Sequence, residues 1–388
     1  MTGMRATHQA AAAGSGASKG RIALAAGGTG GHVLPALAVG EILHRRGWTV
    51  QLMTDARGAV IPSDARAWGT TVIDGGRLTG GLTVKSAAAV RLAANLVRSI
   101  RALGRLRPDL VIGFGGYPAL PALLSARLRG LPYVVHEQNA VLGRVNRLLA
   151  KRAAALALSF FTTSRVPAGL VTPPVMTGLP LRQGVLDRLE QAPEAGTRAT
   201  LHLLVVGGSQ GARILSTVVP EAVAELDSAV RERLVITQQC RPEDVERVRA
   251  RYHALGLAPE LATYFDDLPA RMADADLLVA RAGASTLAEA AALGRPALLV
   301  PLAIATDDHQ SANAAGLCRA GGAWAMPEPE FTAAALSARL SALLTAPASL
   351  TAAGAAAATL ARPRAADHVA DLAEAVIAGH PLPREVAP

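Results

Sequence analysis

Aromatic residues make up only 3% of this 388-residue chain, too few to build the stacking platforms on which single-stranded nucleic acids are read. Cysteine is almost missing as well. Cys240 and Cys318 stand far apart with no metal-ligand spacing, which excludes a disulfide scaffold and a cysteine metal site and fits a reducing, cytoplasmic compartment. No segment reads convincingly as a membrane span. The longest uncharged run, Leu340 to Ala361, has 22 residues, is rich in alanine and threonine and is interrupted by Pro347 and Gly354, a pattern that suits a loose helix pair better than lipid. Residues 1–20 are rich in Ala, Gly and Ser and lack the apolar core of a signal peptide, so they read as a disordered extension.

Acidic residues are scarce in the first half only. Residues 1–182 hold 22 Lys and Arg against 6 Asp and Glu, a net +16, whereas residues 183–388 hold 17 against 24, a net −7. Such an asymmetry gives the halves different partners, the basic half facing an anion such as phospholipid, nucleic acid or a pyrophosphate substrate. Nucleic acid is the weakest of these, since no stacking platform or recognised binding motif accompanies the charge. The length accommodates two domains with full cores, and 51% hydrophobic content fits a globular protein.

Two glycine-rich loops, each fed by a hydrophobic run, lie one in each half: Ile22 to His32 (IALAAGGTGGH) and Leu201 to Arg213 (LHLLVVGGSQGAR). A strand that ends in glycines and turns into a helix leaves backbone N–H groups unpaired at the positive end of the helix dipole, an anion site. A Cβ there would hold a phosphate off the backbone. Neither the dinucleotide fingerprint nor the Walker loop is met. Val33 stands where the former needs glycine or alanine, and no G-K-[ST] follows the first loop. One such loop is equally an ordinary tight turn; a pair, one per half, points to twin nucleotide-type domains facing a shared cleft.

The pattern along the chain alternates strand and helix. Strand-like runs are Ile22 to Ala26, Thr49 to Thr54, Asp109 to Gly113, Tyr133 to His136 and Ala155 to Leu158. After the Pro/Gly-rich segment Val166 to Pro180 the alternation restarts at Leu201 to Val206, Leu234 to Gln238, Ala262 to Phe265, Asp276 to Ala280 and Ala297 to Pro301. That pattern means helix-covered parallel sheets, twice over, with a linker near residues 166–182. Ligands in such folds bind beyond the carboxyl ends of the strands, where the glycine loops lie. Two short motifs bear on the chemistry. Thr286 and Glu289 fit a T-x-x-E capping box, which by itself explains Glu289 structurally. Asp274 and Asp276 alone meet the D-x-D spacing that holds a divalent ion, at a helix-to-strand junction that favours a structural role, so no metal site is expected.

Five motifs occur in order: GGTGGH at Gly27 to His32, GGY at Gly115 to Tyr117, HEQN at His136 to Asn139, GGSQGAR at Gly207 to Arg213, and D-x-x-Q-x-x-N-A from Asp307 to Ala314. Together, from about residue 20 onward, the chain closely resembles the MurG family of peptidoglycan N-acetylglucosaminyltransferases, which convert lipid I into lipid II. The resemblance implies an α/β fold of two Rossmann-like domains facing a cleft, the GT-B fold. It implies an acceptor and membrane domain over residues 21–178, a UDP-GlcNAc domain over 179–365, and a helix and tail over 366–388 that return to the first domain.

The family's functional positions carry over one by one. Ser209 matches a hydroxyl that meets a donor phosphate, although a helix N-cap explains it equally. Ala284, Ser285, Thr286, Leu287, Ala288 and Glu289 match the helix-start segment that holds the donor, Glu289 taking the ribose hydroxyls. Arg182 matches an arginine that reaches the nucleotide, Phe265 a position whose backbone reads uracil, and Gln310 a side chain on the GlcNAc hydroxyls, with Asn313 bracing its loop. Thr29, Gly30, Gly31 and Asn139 complete the donor set from the opposite wall, and the turns GGTGG and GFGGY, with Gly115, Gly116 and Tyr117, would cradle the acceptor's pyrophosphate. His32 leads as general base because imidazole titrates near working pH, with Glu137 next; a helix-start histidine that only orders its loop is the plain alternative. Two positions depart from the family: Leu179 replaces an asparagine at the hinge, and His309 stands where a glutamine is frequent.

The resemblance implies metal-independent transfer with inversion and no cofactor. The implied partners are UDP-GlcNAc, lipid I, an anionic phospholipid surface at the cytoplasmic face of the inner membrane, and a cell-wall synthesis complex. A stretch from Leu78 to Leu106 sets Arg91, Arg98, Arg101 and Arg105 along one helical face beside a stripe of Leu92, Leu96, Ile100 and Leu103. It reads either as a solvated face opposite a buried one or, with the loop Gly75 to Val84 carrying Arg77 and Leu78 next to Lys85, as a membrane-docking patch. Other readings of the whole chain are a sugar-nucleotide epimerase or glycolipid synthase of the same fold, and a non-catalytic nucleotide-binding or membrane scaffold protein.

Overall fold

The hydrophobic runs that precede the glycines become the central strands of two parallel sheets. The computed structural model describes residues 18–27, 29–59, 68–73, 82–117, 119–191, 199–208 and 211–382. In the first half the strands are β1 (Arg21–Ala25), β2 (Thr49–Thr54), β3 (Gly69–Val72), β4 (Leu110–Gly113), β5 (Tyr133–Glu137), β6 (Ala155–Leu158) and β7 (Val175–Met176). They form one sheet in the order β3-β2-β1-β4-β5-β6-β7, all neighbours parallel. In the second half β8 (Leu201–Val206), β9 (Leu234–Gln239), β10 (Glu260–Ala262), β11 (Leu277–Ala280), β12 (Ala297–Leu299) and β13 (Ala323–Ala325) run β10-β9-β8-β11-β12-β13, again all parallel. Both are Rossmann orders. β4, β5, β6 and β11 are buried along their whole length, as expected when helices cover both faces of a parallel sheet.

In each sheet the strand order reverses beside the strand that carries the glycine loop, between β1 and β4 and between β8 and β11. Loops diverge at such a switch point and leave a crevice. The first glycine loop opens helix Gly30–Arg45, the second leads to helix Arg213–Ala224, and the loop after β11 opens helix Ala284–Ala292. Gly207 is needed for the second turn, because a Cβ there would lie 2.4 Å from the Ala212 backbone nitrogen.

The structure corrects the sequence reading in several places. The strand expected at Ala262 to Phe265 is Glu260–Ala262, because its register pairs Glu260, Leu261 and Ala262 with Thr237, Gln238 and Gln239 of β9. Phe265 therefore sits beyond the strand, though still buried. The segment expected as pure linker contributes β7, which extends the first sheet on Ala157 and Leu158. β3 and β13 were also unexpected. Residues 18–20 are tied to the fold, Lys19 N donating to Gly47 O at 3.1 Å; residues 1–17 lie outside the described set.

The uncharged run folds into the end of helix Ala333–Leu344 and helix Pro347–Ala358, bent by 91°. Leu336, Leu340, Leu344 and Leu350 from this pair are fully buried in the second domain's core. No single helix among the described residues is long and apolar enough to cross a membrane.

The last helix, Ala365–Ala378, packs on helix Gly30–Arg45 and joins the core of the first sheet through Val369, Ala370, Leu372 and Ala373. Arg46 fastens it by ion pairs to Asp371 (2.7 Å), Glu374 (2.8 Å) and Asp367 (3.1 Å), and Trp48 Nε1 donates to Glu374 at 2.8 Å. An isolated surface pair is worth little, but a shared network around one guanidinium is more effective.

The long basic helix runs Leu82–Leu106. Leu103 is buried in the core and Leu92 packs against it, so the leucine stripe faces helix Ala119–Leu128 rather than solvent. What faces out is mixed: Val90 is 70% and Val97 44% exposed, on the face that carries Arg98, Arg101 and Arg105. Residues 75–81 lie outside the described set, as do the side chains of Arg91 and of residues 82–89, including Lys85.

Candidate active site

The two switch-point crevices face each other. A Cβ placed on Gly31, in the first domain's loop, would lie 3.9 Å from Ser285 Oγ, in the first turn of the second domain's helix. That hydroxyl is buried and has no hydrogen-bond partner. Helix Ala284–Ala292 is capped at Gly283 without a side-chain hydrogen bond, so Thr286 is inside the helix and is not its cap. The capping-box reading of Glu289 therefore fails. Its carboxylate instead takes a fork from Arg182, Nε donating to Oε1 at 2.8 Å and Nη2 to Oε2 at 2.7 Å. Each oxygen keeps a lone pair for a further donor.

His32 lies in the first turn of helix Gly30–Arg45, with Nδ1 3.2 Å from Thr29 Oγ1. Thr29 is the N-cap residue by position, but its hydroxyl serves the imidazole and makes no capping bond. Burial, and then the nearby charge of His309, pull the His32 pKa from 6.5 to about 4, so the ring is neutral at ordinary pH. His309 opens helix His309–Arg319 of the other domain. Behind His32, His136 is fully buried, with Nε2 3.2 Å from Gly178 O, and burial likewise lowers its pKa to about 4. Gly115, at φ 79°, lets the second turn pass between these groups, since a Cβ there would meet His32 Cδ2 and Asn146 Nδ2 at 3.4 Å.

Glu137 is 2% exposed and fully engaged. Oε1 accepts from Asn139 N at 2.9 Å and Asn139 Nδ2 at 3.2 Å; Oε2 accepts from Gly143 N and Asn146 Nδ2, both at 2.8 Å. A carboxylate holding four donors braces the loop that follows β5. That loop is stitched to the other domain by Asn313, whose Oδ1 accepts from Ala140 N at 2.8 Å and whose Nδ2 donates to Asn139 Oδ1 at 3.1 Å and Ala282 O at 3.2 Å.

A second clasp crosses the cleft at Asp307, which pairs with Arg147 and Arg165 at 2.6 Å each and with Arg144 at 4.0 Å. Asp307 and Asp308 both adopt left-handed backbone, φ 57° and 53°, unusual for non-glycine residues. Partial burial pushes the Asp307 carboxyl up, but the guanidinium of Arg165, with those of Arg147 and Arg144, outweighs it and holds the pKa below its ordinary value.

The glycosyltransferase family 28 N-terminal domain profile matches residues 22–158 and the family 28 C-terminal domain profile residues 202–369. A relative from Paramagnetospirillum magneticum, named UDP-N-acetylglucosamine–N-acetylmuramyl-(pentapeptide) pyrophosphoryl-undecaprenol N-acetylglucosamine transferase, is 48% identical over 92% of this chain and 96% of its own. One of the same name from Granulibacter bethesdensis is 47% identical over 91% and 93%. The crystal structure of Acinetobacter baumannii MurG superposes with a TM-score of 0.71 at 33% identity, covering 91% of this chain and 99% of that one. The chain belongs to the MurG family.

It is thus a glycosyltransferase of the GT-B fold, and the S. aureus MnaA–UDP co-structure shares that fold at 11% identity with a TM-score of 0.68. Within this MurG-family cleft, Thr29, Gly30, Gly31, His32, Gly115, Gly116 and Tyr117 lie on the first domain's two turns, and Ala284, Ser285, Thr286, Leu287, Ala288 and Glu289 on the facing helix. Tyr117 is 38% exposed at the mouth. Gln310 Oε1 accepts from Leu302 N at 2.9 Å, which fixes its loop and leaves the amide nitrogen to donate. Phe265 is covered by the Arg271 guanidinium, 4.4 Å from the ring centroid. Ser209 lies outside the described residues. Among the described residues no three His, Cys, Asp or Glu side chains converge to hold a metal ion, and Asp276 is used by the sheet, accepting from His202 N at 2.8 Å.

The sequence reading missed Asn146, which fastens Glu137, and the role of Asp307. The latter stood inside a quoted motif, but its arginine partners lie about 140 to 160 positions earlier, where no local spacing announces them.

Proposed function

We infer that this protein transfers GlcNAc from UDP-GlcNAc to the muramyl 4-hydroxyl of lipid I, with inversion, to make lipid II. One observation carries the reading: the first glycine turn faces the start of helix Ala284–Ala292 across the cleft, a Cβ on Gly31 reaching within 3.9 Å of Ser285 Oγ, with a neutral imidazole on the same wall as that turn. The donor lies on the second domain. Glu289 accepts from the ribose diol through its outer lone pairs, while the Arg182 fork keeps it aimed. The backbone N–H groups at the start of helix Ala284–Ala292, with the unpartnered Ser285 hydroxyl, meet the donor phosphates. Gln310 donates to GlcNAc.

His32 is the base. With Nδ1–H donating to Thr29 Oγ1, Nε2 carries the lone pair that takes the proton from the 4-hydroxyl. The oxygen bonds to the anomeric carbon as the carbon–phosphate-oxygen bond breaks, and the electron pair leaves on UDP. A pKa near 4 makes a weak base in the free protein, but two bound pyrophosphates bring negative charge and raise it. Glu137 positions the loop and does not move the proton.

The first domain docks on an anionic membrane surface at the cytoplasmic face, a peripheral association. Its net charge of +16 over residues 1–182 and the exposed Val90 and Val97 among Arg98, Arg101 and Arg105 support this. Amide hydrogen exchange tests the division of labour. UDP-GlcNAc should slow exchange at residues 281–289 and 302–310, and a lipid I analogue at 29–33 and 114–117; the reversed pattern would overturn it.

A further inference from the structure

A cavity of about 230 Å³ lies at the hinge, walled by both domains and by the linker. Phe160, Phe161 and Met176 come from the first domain, Leu179 and Leu181 from the linker, and Leu317 from the second domain. The volume is below the range typical of drug-sized ligands, and the apolar wall suits one chain or ring. Two arginines line the cavity, the exposed Arg319 and the partly buried Arg362. Arg362 lines the cavity with its guanidinium 5.3 Å from the Phe161 ring centroid, and its stem passes over Gly178, where a Cβ would lie 2.6 Å from Arg362 Cβ.

Arg362 has no carboxylate within ion-pair reach among the described residues. Its Nη1 donates to Ala361 O at 2.7 Å, while Nε is buried with no partner. Burial lowers its pKa, with no counter-charge acting against that. A half-buried guanidinium facing an apolar space is unfavourable unless an anion pairs with it. A guanidinium fork matches the two oxygens of a carboxylate.

We propose that the hinge cavity binds one amphiphilic monocarboxylate, an alkyl-chain acid, with the chain among Phe160, Met176, Leu179 and Leu317 and the carboxylate on Arg362. The cavity shares Leu287 and Ala288 with the helix that carries Glu289, and Asn313 with the clasp between the domains, but Arg182, Glu289 and His32 do not line it.

Decanoate, decanol and decyl phosphate, titrated calorimetrically into the full-length protein below their micelle thresholds, test this. Decanoate should bind one per chain. Decanol, which lacks the charge, should bind about tenfold or more weakly, as should decanoate to Arg362→Gln. Gly316→Leu supplies an independent variant, because Gly316 lines the cavity on helix His309–Arg319 and a Cβ there meets nothing within 4 Å. It fills the space, favours the helix, and should abolish decanoate binding in a protein at least as stable as the parent. Absent decanoate binding, equal binding of decanol, tighter binding of decyl phosphate, or full binding by Gly316→Leu would each overturn the proposal. None of these readouts depends on transferase activity.

Discussion

Replacing Glu289 by glutamine separates what the Arg182–Glu289 pair does for the fold from what it does for the donor. The carboxylate side chain is 7% exposed and the guanidinium 21%, so the substitution leaves a largely enclosed cation facing a neutral amide. Breaking a fully buried pair by removing one partner costs about 3–5 kcal/mol; here residual solvent at Arg182 reduces the loss to about 1–3 kcal/mol. At about 2–4 °C per kcal/mol for a domain of this size, thermal denaturation should show a drop of several degrees. The donor effect is a separate quantity. Two ribose hydroxyls bonded to a charged acceptor contribute about 1.5–3 kcal/mol each, and glutamine keeps one acceptor oxygen, so UDP affinity should fall about 10- to 150-fold. Titration calorimetry with UDP and UDP-GlcNAc should show the same loss for both, with acceptor affinity almost unchanged. A folded Glu289→Gln protein that binds UDP within twofold of the parent would refute the ribose assignment and leave Glu289 a partner of Arg182 alone.

His32→Ala should lower kcat by about 10²-fold or more while leaving the UDP-GlcNAc dissociation constant nearly unchanged, and chelators should not affect the parent. More than a tenth of the parental kcat would count against the base. The pH profile should carry an acid limb on kcat/KM near pH 4, the free-protein value of His32, and a limb on kcat at higher pH, where bound pyrophosphates raise it; coincident limbs would contradict that account. Stability should fall with acid over the same range. His32 and His136 have folded pKa values of about 4 against an ordinary 6.5, so between these values the unfolded chain binds the protons and folding weakens as pH drops. The fully buried His136 alone contributes about 3 kcal/mol, and denaturant midpoints that stay flat from pH 6.5 to 4 would be inconsistent with it. Asn313→Ala should cost about 1–3 kcal/mol for each buried group it strands, Ala140 N and Ala282 O, and should let the domains separate, read as a larger radius of gyration in solution scattering; an unchanged radius would mean that the Asp307 clasp suffices.

The strands legible in the sequence are those built from buried hydrophobic runs, β2 and β6 as well as the runs that end at glycines. β1, β4, β8 and β11 lie beside the switch points and could be placed within a residue or two, because their side chains are buried on both faces. β3 could not, since its four residues are mostly exposed at the sheet edge, and β7 has only two residues in a Pro/Gly-rich stretch. The T-x-x-E pattern misled because the helix begins at Ala284, before the threonine. The leucine stripe of the basic helix was visible by period alone, but periodicity does not say whether the stripe meets lipid or another helix. Long-range contacts were invisible for a simpler reason: Arg182 and Glu289 are 107 positions apart, and Asn139 and Asn313, which join the two domains, are 174 apart.

The reaction is direct transfer across the cleft from UDP-GlcNAc to the lipid-linked acceptor. It is tested most directly by incubating the purified protein with radiolabelled UDP-GlcNAc and a synthetic lipid I analogue, then determining the anomeric configuration of the product by NMR. One equivalent of UDP should be released per β-linked disaccharide formed, with no donor consumption without acceptor. Conversion of UDP-GlcNAc in the absence of acceptor, or a product that retains the α configuration, would contradict it.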